Sequence, residues 1–232
     1  FFYNRFNSII AITKGVKGSL YFWLSASIFK KVINIPNGAR FFSYKERLSI
    51  DKSVKFISVG SLRYQKNFTI AIKALSHLKN IDWHYEIIGT GPLKTQLEKL
   101  INSLGLQDKV TLSGWCTNLE GKYHNADIQL LPSRFEGFGL VAVEGMSTGL
   151  PVIASDVQGL NEVVSSSIES CFLVKDINNI DAWVDQIKLC INALEKNLPH
   201  ISKESYQHSQ KFSLSKMTKS YIDLYIQVLK NE

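Results

Sequence analysis

Cysteine is scarce in this chain, and the little there is does not group. Cys116, Cys171 and Cys190 are odd in number and far apart. No C-x-x-C pair or His/Cys cluster accompanies them, so a disulfide framework and a zinc knuckle are both excluded and reduced core thiols are expected. The histidines, His77, His84, His124, His200 and His208, are equally dispersed and are expected to be surface or structural groups. No apolar run approaches the roughly 20 residues needed to span a bilayer; the aromatic-rich stretch from Leu20 to Phe29 is too short. Asn67-Phe68-Thr69 matches a glycosylation sequon, but nothing else looks secreted. Long basic blocks are missing too. The net charge of +7 comes from 27 basic and 20 acidic residues that read as scattered, which suits an anionic ligand or an anionic membrane surface and argues against nucleic acid. Internal repeats and low-complexity tracts are absent. The chain starts at Phe1 rather than methionine, so it is expected to be a piece of a longer protein.

What is present is a regular alternation. At 45% apolar and 20% charged residues, 232 residues suffice for one sizeable core. Val54 to Val59 reads as a strand and Phe68 to Leu78 as an amphipathic helix. Trp83 to Ile88 is a second strand, followed by a helix from Leu93 to Leu104 that Gly105 closes. Val110 to Leu112 is a third strand, followed by a helix ending near His124. Ala126 to Leu131, Val152 to Ala154 and Cys171 to Val174 complete six strands, with a helix from Leu140 to Thr148 among them. Strands alternating with helices of this length predict an α/β fold, a Rossmann-like doubly wound parallel sheet. Leu214 to Leu229 carries apolar residues at helical spacing and is expected to dock on the sheet.

In such sheets ligands bind beyond the carboxyl ends of the strands. Those ends are Gly60-Ser61, Gly89-Thr90-Gly91, Gly114-Trp115, Pro132-Ser133 and Ser155-Asp156. Three glycines on one edge suggest backbone brought close to a ligand. Gly89-x-Gly91 lacks the third glycine of the dinucleotide fingerprint, which disfavours an NAD enzyme. Asp156 is read as loop chemistry first. The densest signal is Pro132 to Leu140, running on to Glu144: a glycine-rich turn between a buried strand and a helix, suited to phosphate or sugar oxygens. If helix covers most of the interval, Glu136 and Glu144 lie roughly 12 Å apart. That exceeds the separation of the about 5–9.5 Å that glycosidase carboxylates use. The spacing fits two groups gripping the ends of an elongated ligand, and equally one surface carboxylate and one on a helix face.

Together these residues resemble the donor-binding half of a retaining glycosyltransferase of family 4, with the GT-B architecture. Ile35-Pro36-Asn37-Gly38 looks like the interdomain crossover. Val59 to Leu62 with Lys66-Asn67, Ile88 to Pro92, and Leu112 to Trp115 match in order. So do Glu136-Gly137-Phe138-Gly139-Leu140 through Glu144, Gly149 to Ser155, and Gly159-Leu160-Asn161-Glu162. The resemblance implies that Glu136 touches the donor sugar near the reacting carbon and that Lys66 sits on the diphosphate. Gly137, Phe138, Gly139 and Leu140 would offer the turn's backbone, and Glu144 would accept hydrogen bonds from ribose hydroxyls. Gly60 and Ser61, Gly89 and Gly91, and Trp115 would line the rest of the donor site and hold the base. The family has arginine where this chain has Ser61; Arg63 either reaches the same phosphates or faces solvent.

The implied organisation is a remnant of an N-terminal acceptor domain plus crossover at 1–38, a donor domain at 39–212 and a docking helix at 213–232. Ile9 to Lys17 looks like the remnant's last strand and helix. The expected reaction transfers a hexosyl unit from a UDP- or GDP-linked sugar to a glycan or lipid-linked acceptor, in surface polysaccharide biosynthesis. No resident cofactor is expected and, without a D-x-D pair, no metal. The family also implies a cytoplasmic protein, with peripheral attachment at the inner membrane face as one possibility. Two other readings stay open: a non-catalytic nucleotide-sugar-binding fragment, and an epimerase or phosphorylase on the same fold.

Overall fold

The computed structural model of the protein describes residues 5–230. Six parallel strands form the central sheet: β3 (Val54–Val59), β4 (Trp83–Ile88), β5 (Val110–Gly114), β6 (Ile128–Leu131), β7 (Val152–Ser155) and β8 (Cys171–Val174). Their spatial order is β5-β4-β3-β6-β7-β8. The sheet is covered on both sides, which is why β6 and β7 are buried at every position and read as continuous apolar runs. All six expected strands are present, three with the expected bounds and three with one end shifted by one or two residues.

The connecting helices are α3 (Phe68–Ser76), α4 (Lys94–Ser103), α5 (Leu119–Asn125), α6 (Leu140–Ser147) and α7 (Leu160–Val163). A 30-residue segment, α8 (Ile180–Ser209), follows β8 and was not foreseen from the sequence. It is two helices in series. Asn197 leaves helical geometry (φ −159°, ψ 62°), and its side chain accepts a hydrogen bond from His200 N at 3.3 Å. That is an N-cap, and it places Pro199 in the first turn of the second half, where its missing N–H costs nothing. Trp183, Ile187, Cys190, Ile191 and Leu194 recur at helical spacing and enter the same core as Phe56, Trp83 and Tyr85. Among the cysteines, Cys171 and Cys190 are buried free thiols as expected, whereas Cys116 is only half-buried and belongs to a pocket wall.

The first residues form a small unit of their own. β1 (Ile9–Ala11) pairs in parallel with β2 (Val32–Asn34) across a crossover containing α1 (Lys14–Leu20) and α2 (Ala26–Phe29). The expected strand and helix are therefore joined by a second strand and a second helix. Both strands are three residues long, too short for their period to show in the sequence. Glu162 fastens this unit to the main sheet: its two carboxylate oxygens accept from Lys14 N and Gly15 N, each at 2.7 Å. The C-terminal helix, α9 (Leu214–Lys230), does not dock on the central sheet. It buries Leu224, and with Gln227 and Val228 that residue lines a groove with Asn7, Ser8, Lys30, Lys31 and Ile33 of the small unit. The reason is geometric: Ala39 N donates to Phe212 O at 2.9 Å and Gly38 N to Met217 Sδ at 3.0 Å, which aims α9 back along the crossover.

The tightest backbone approach lies at the carboxyl ends of β3 and β4. Gly89 has φ +147°, and a Cβ there would stand 1.9 Å from Gly60 O. Gly89→Ala is therefore expected to lower stability by about 3 kcal/mol, since strain and a backbone clash act together. Urea denaturation followed by far-UV circular dichroism measures it, and an unchanged midpoint would contradict this packing.

Candidate functional site

Strand order reverses between β3 and β6, and the crevice expected there is where the site residues gather. Lys66 ends a 3-10 turn (Tyr64–Lys66) after β3, and Glu136 lies in the loop after β6. Lys66 Nζ donates to Glu136 Oε2 at 2.6 Å, with both side chains 16% exposed. Ser133, buried at the end of β6, donates from Oγ to the same carboxylate oxygen at 3.3 Å. The side chain of Lys66 passes beside Gly60, where an added Cβ would meet Lys66 Cε at 3.1 Å.

Next to this pair, a pocket of 220 Å³ opens between the ends of β3, β4 and β5. Its wall includes Gly60, Ser61, Gly89 and Trp115, four residues singled out from the sequence, together with Thr90, Cys116 and Leu119. Trp115 is 81% exposed, so its ring is available at the rim. Gly91 is not part of the wall. It lies against the backbone of Leu62, 2.5 Å from Leu62 O for an added Cβ, and closes the β4 loop. Arg63 is exposed and is not part of the Lys66–Glu136 pair.

The glycine-rich turn departs from the expected geometry in one respect. α6 begins only at Leu140, so half of the interval from Glu136 to Glu144 is loop, and the helical separation of the two carboxylates does not apply. Gly137 is exposed and faces Ile12 of the small unit, with Ile12 Cδ1 3.9 Å from an added Cβ. Phe138 is buried, its ring edge-on to Phe212 at 5.6 Å, so its side chain is core while its backbone belongs to the turn. Gly139 is buried at the head of α6, and Leu140 is exposed. The turn is backed by Gly159 (φ +86°), where a Cβ would come within 2.5 Å of Glu136 O. Asp156 acts as a loop residue, accepting from Asn161 Nδ2 at 2.8 Å.

Glu144 sits in a different environment from Glu136. Burial holds its carboxyl above the usual carboxylate range, partly offset by a hydrogen bond from the Tyr123 hydroxyl and by the charge of Arg40. Tyr123 is fully buried, and burial together with the Glu144 charge raises its hydroxyl well above 10. Neither Tyr123 nor Arg40 was recognisable from the sequence, because each is brought to α6 from a different connection.

Arg134 was also missed. Its Nη2 donates to Asn67 Oδ1 at 3.0 Å and its Nη1 to Asn178 Oδ1 at 2.9 Å. The guanidinium stacks 4.4 Å over the Tyr64 ring, and Arg134 N donates to Gln65 O at 2.7 Å. Gln65 Nε2 returns a bond to Phe135 O at 3.0 Å. Asn67, adjacent to Lys66, is the one non-glycine with positive φ (50°) among the described residues. Arg134 thus ties the loop carrying Lys66 to the loop carrying Glu136 and to the segment leading into α8. The only available signal was a charged residue between a buried strand and the glycine-rich turn.

Residues 40–207 match the family model of the glycosyl transferases group 1, and the chain belongs to that family. It is 28% identical to an uncharacterized glycosyltransferase of Methanocaldococcus jannaschii, over 94% of this chain and 59% of that protein. It is 32% identical to the lipopolysaccharide core biosynthesis mannosyltransferase LpsB of Rhizobium meliloti, over 61% of this chain and 42% of that one. Among solved structures, a glycosyltransferase from Rickettsia africae superposes with a TM-score of 0.84 at 22% identity, covering 100% of this chain and 67% of its own. The fold is therefore the GT-B type, and the chain spans less than two thirds of the length of these curated relatives.

Two measurements check this geometry. In Glu144→Gln, the folded state no longer carries a carboxyl whose pKa lies above 4.5. A raised carboxylate binds its proton more tightly folded than unfolded, so its stabilising effect is complete at low pH and is lost as pH rises from 4.5 through the folded value. The stability advantage of the variant over wild type should therefore grow from acid toward neutral pH; a constant difference would contradict the burial. Arg134→Ala should cost about 2 kcal/mol and speed amide exchange at residues 64–67 selectively. Exchange that rises uniformly across the chain would speak against the staple.

Proposed function

We propose that this chain is the donor-binding part of a retaining glycosyltransferase that moves a hexosyl unit from a nucleoside-diphosphate sugar to a glycan or lipid-linked acceptor. The observation that carries the reading is the Lys66–Glu136 pair at the switch-point crevice, beside a pocket of nucleobase size. The base would enter the pocket at Gly89 and Trp115, and Glu144 would accept the ribose hydroxyls from α6. Lys66 would face the diphosphate, with the exposed Arg63 free to swing in where the family has arginine at the position of Ser61. Fixed positive charge there stabilises the leaving group as it departs. The backbone N–H groups of Gly137 to Leu140 would meet sugar or phosphate oxygens.

In the proposed step the bond between the anomeric carbon and the phosphate oxygen breaks, and its electron pair leaves with the nucleoside diphosphate. The acceptor oxygen bonds on the same face, and its proton passes to a departing phosphate oxygen, so configuration is retained without a protein nucleophile. Glu136 would hold the sugar hydroxyls near that carbon. The reading assigns no metal, since Lys66 and Arg63 supply the charge. The role of the Rhizobium relative in lipopolysaccharide core biosynthesis supports a place in surface polysaccharide assembly, with the acceptor bound by residues outside this chain. A cytoplasmic protein held peripherally at a membrane belongs to the same reading.

Thermal shifts of the purified chain with UDP, GDP, ADP and their sugar conjugates test it. One nucleotide class should stabilise the chain by about 2.7 kcal/mol at about 100 times its Kd, and Glu144→Ala should abolish the shift. Absence of a shift with every nucleotide would reject the donor site. Glu136→Ala then separates the alternatives: a transferase loses turnover far more than donor affinity, a binding fragment changes affinity only. Product analysis distinguishes transfer from epimerisation or phosphorolysis.

A further inference from the structure

The basic residues are not scattered, contrary to their first appearance. Residues 1–45 contain seven lysines and arginines and no acidic residue, the first carboxylate being Glu46. Of the 27 basic residues this leaves 20 beyond position 45, against 20 acidic ones. The entire net charge of +7 thus belongs to the small N-terminal unit and its crossover, while the rest of the chain is neutral. Five of the seven, Arg5, Lys14, Lys17, Lys30 and Lys31, fall on the unit built from β1, α1, α2 and β2 or directly beside it.

The same unit carries the densest exposed aromatic cluster among the described residues. Tyr21, Phe22 and Trp23 are consecutive, at the turn between α1 and α2, and are 62%, 85% and 86% exposed. They are not a loose loop. Trp23 N and Leu24 N both donate to Leu20 O, at 3.1 and 3.0 Å. The Tyr21 ring stands edge-on to Phe29 at 5.2 Å and to Phe22 at 6.0 Å, and Lys17 Nζ lies 5.8 Å over the Phe29 ring. The aromatics are therefore held at a tip, with Lys14 and Lys17 on α1 and Lys30 and Lys31 directly after α2.

Aromatic rings at the tip of a unit whose own sequence is basic and carries no acidic residue, with Glu162 of the main body bound only at the far end of α1, match the interface of a bilayer bearing anionic lipids. The rings settle at headgroup depth and the cations meet the negative surface potential. A protein partner of ordinary composition would leave this unit's one-signed charge largely unpaired. We propose that the α1–α2 turn is a membrane-docking surface, inserting Phe22 and Trp23 into the interface of an anionic lipid bilayer while Lys14, Lys17 and Lys30 contact its headgroups. This deepens the membrane part of the proposed function and is independent of the transfer chemistry. The helices themselves do not span: among the described residues no helix is long and apolar enough to cross a membrane.

Sedimentation with large unilamellar vesicles decides the matter, using the purified chain and vesicles of phosphatidylcholine with or without phosphatidylglycerol. The chain should pellet with the anionic vesicles, stay in solution with the neutral ones, and bind more weakly as salt rises. Phe22→Ser/Trp23→Ser and Lys14→Gln/Lys30→Gln should each weaken binding by about tenfold or more, with melting temperatures unchanged, while Leu48→Ser, an exposed apolar control elsewhere, should bind as wild type. Failure of the wild-type chain to pellet with anionic vesicles, or equal binding by the aromatic variant, overturns the proposal. So does self-association in sedimentation velocity that the aromatic variant abolishes without vesicle binding, since the face would then be a protein contact. Nucleotide binding is untouched by any of these outcomes, so a failure here does not disturb the donor-site reading.

Discussion

A parallel sheet whose strand order turns back on itself must send two neighbouring loops to opposite faces. In this chain that constraint falls between β3 and β6. The outgoing loop of β3 carries Lys66 and that of β6 carries Glu136, and the gap between them is where the two side chains meet. Close backbone approach at Gly89 and Gly60 keeps the neighbouring strand ends low, so that the pocket lined by Trp115 and Thr90 opens alongside rather than being filled. Arg134 then removes the freedom that two surface loops would otherwise have, by bonding one loop to the other and to Asn178.

Two glutamates on one turn-and-helix segment acquire opposite characters from their neighbours. Glu136 accepts from an ammonium group and a buried serine hydroxyl, which together fix the direction of its carboxylate. Glu144 is pressed into the α5–α6 contact beside the buried Tyr123, where desolvation works against its charge and a phenol hydrogen bond partly restores it. In the proposed division of labour Glu136, fixed by its bond to Lys66, takes the sugar hydroxyls, Lys66 takes the departing negative charge, and Glu144 takes the ribose hydroxyls.

The N-terminal unit is a neighbour of the site rather than an appendage. Glu162 binds the first turn of α1, Gly137 faces Ile12, and an added Cβ at Gly15 would meet the Gln158 side chain at 2.3 Å. Its basic, aromatic surface is therefore fixed in orientation relative to the crevice. A membrane contact through that surface would hold the crevice at a defined attitude to the lipid, as the proposed transfer to a lipid-linked acceptor requires.

Much of the fold was legible in the sequence because its signals are local. Apolar runs of strand length, amphipathic helices and glycines at strand ends each depend on a few adjacent residues, and they marked the six strands along the chain, the parallel class and the edge that carries the candidate site. The glycine-rich turn and the two glutamates were legible for the same reason. Only the tertiary structure decided who meets whom. Lys66 reaches Glu136 across 70 positions, Arg134 reaches Asn67 across 67, and Tyr123 comes to Glu144 from another connection. The short strands β1 and β2, the break in α8 at Asn197 and the return of α9 to the N-terminal unit were hidden as well. The physical reason is common to all of them: a partner is selected by how crossovers place distant segments in three dimensions, and a one-dimensional pattern carries period and composition but no distance between elements.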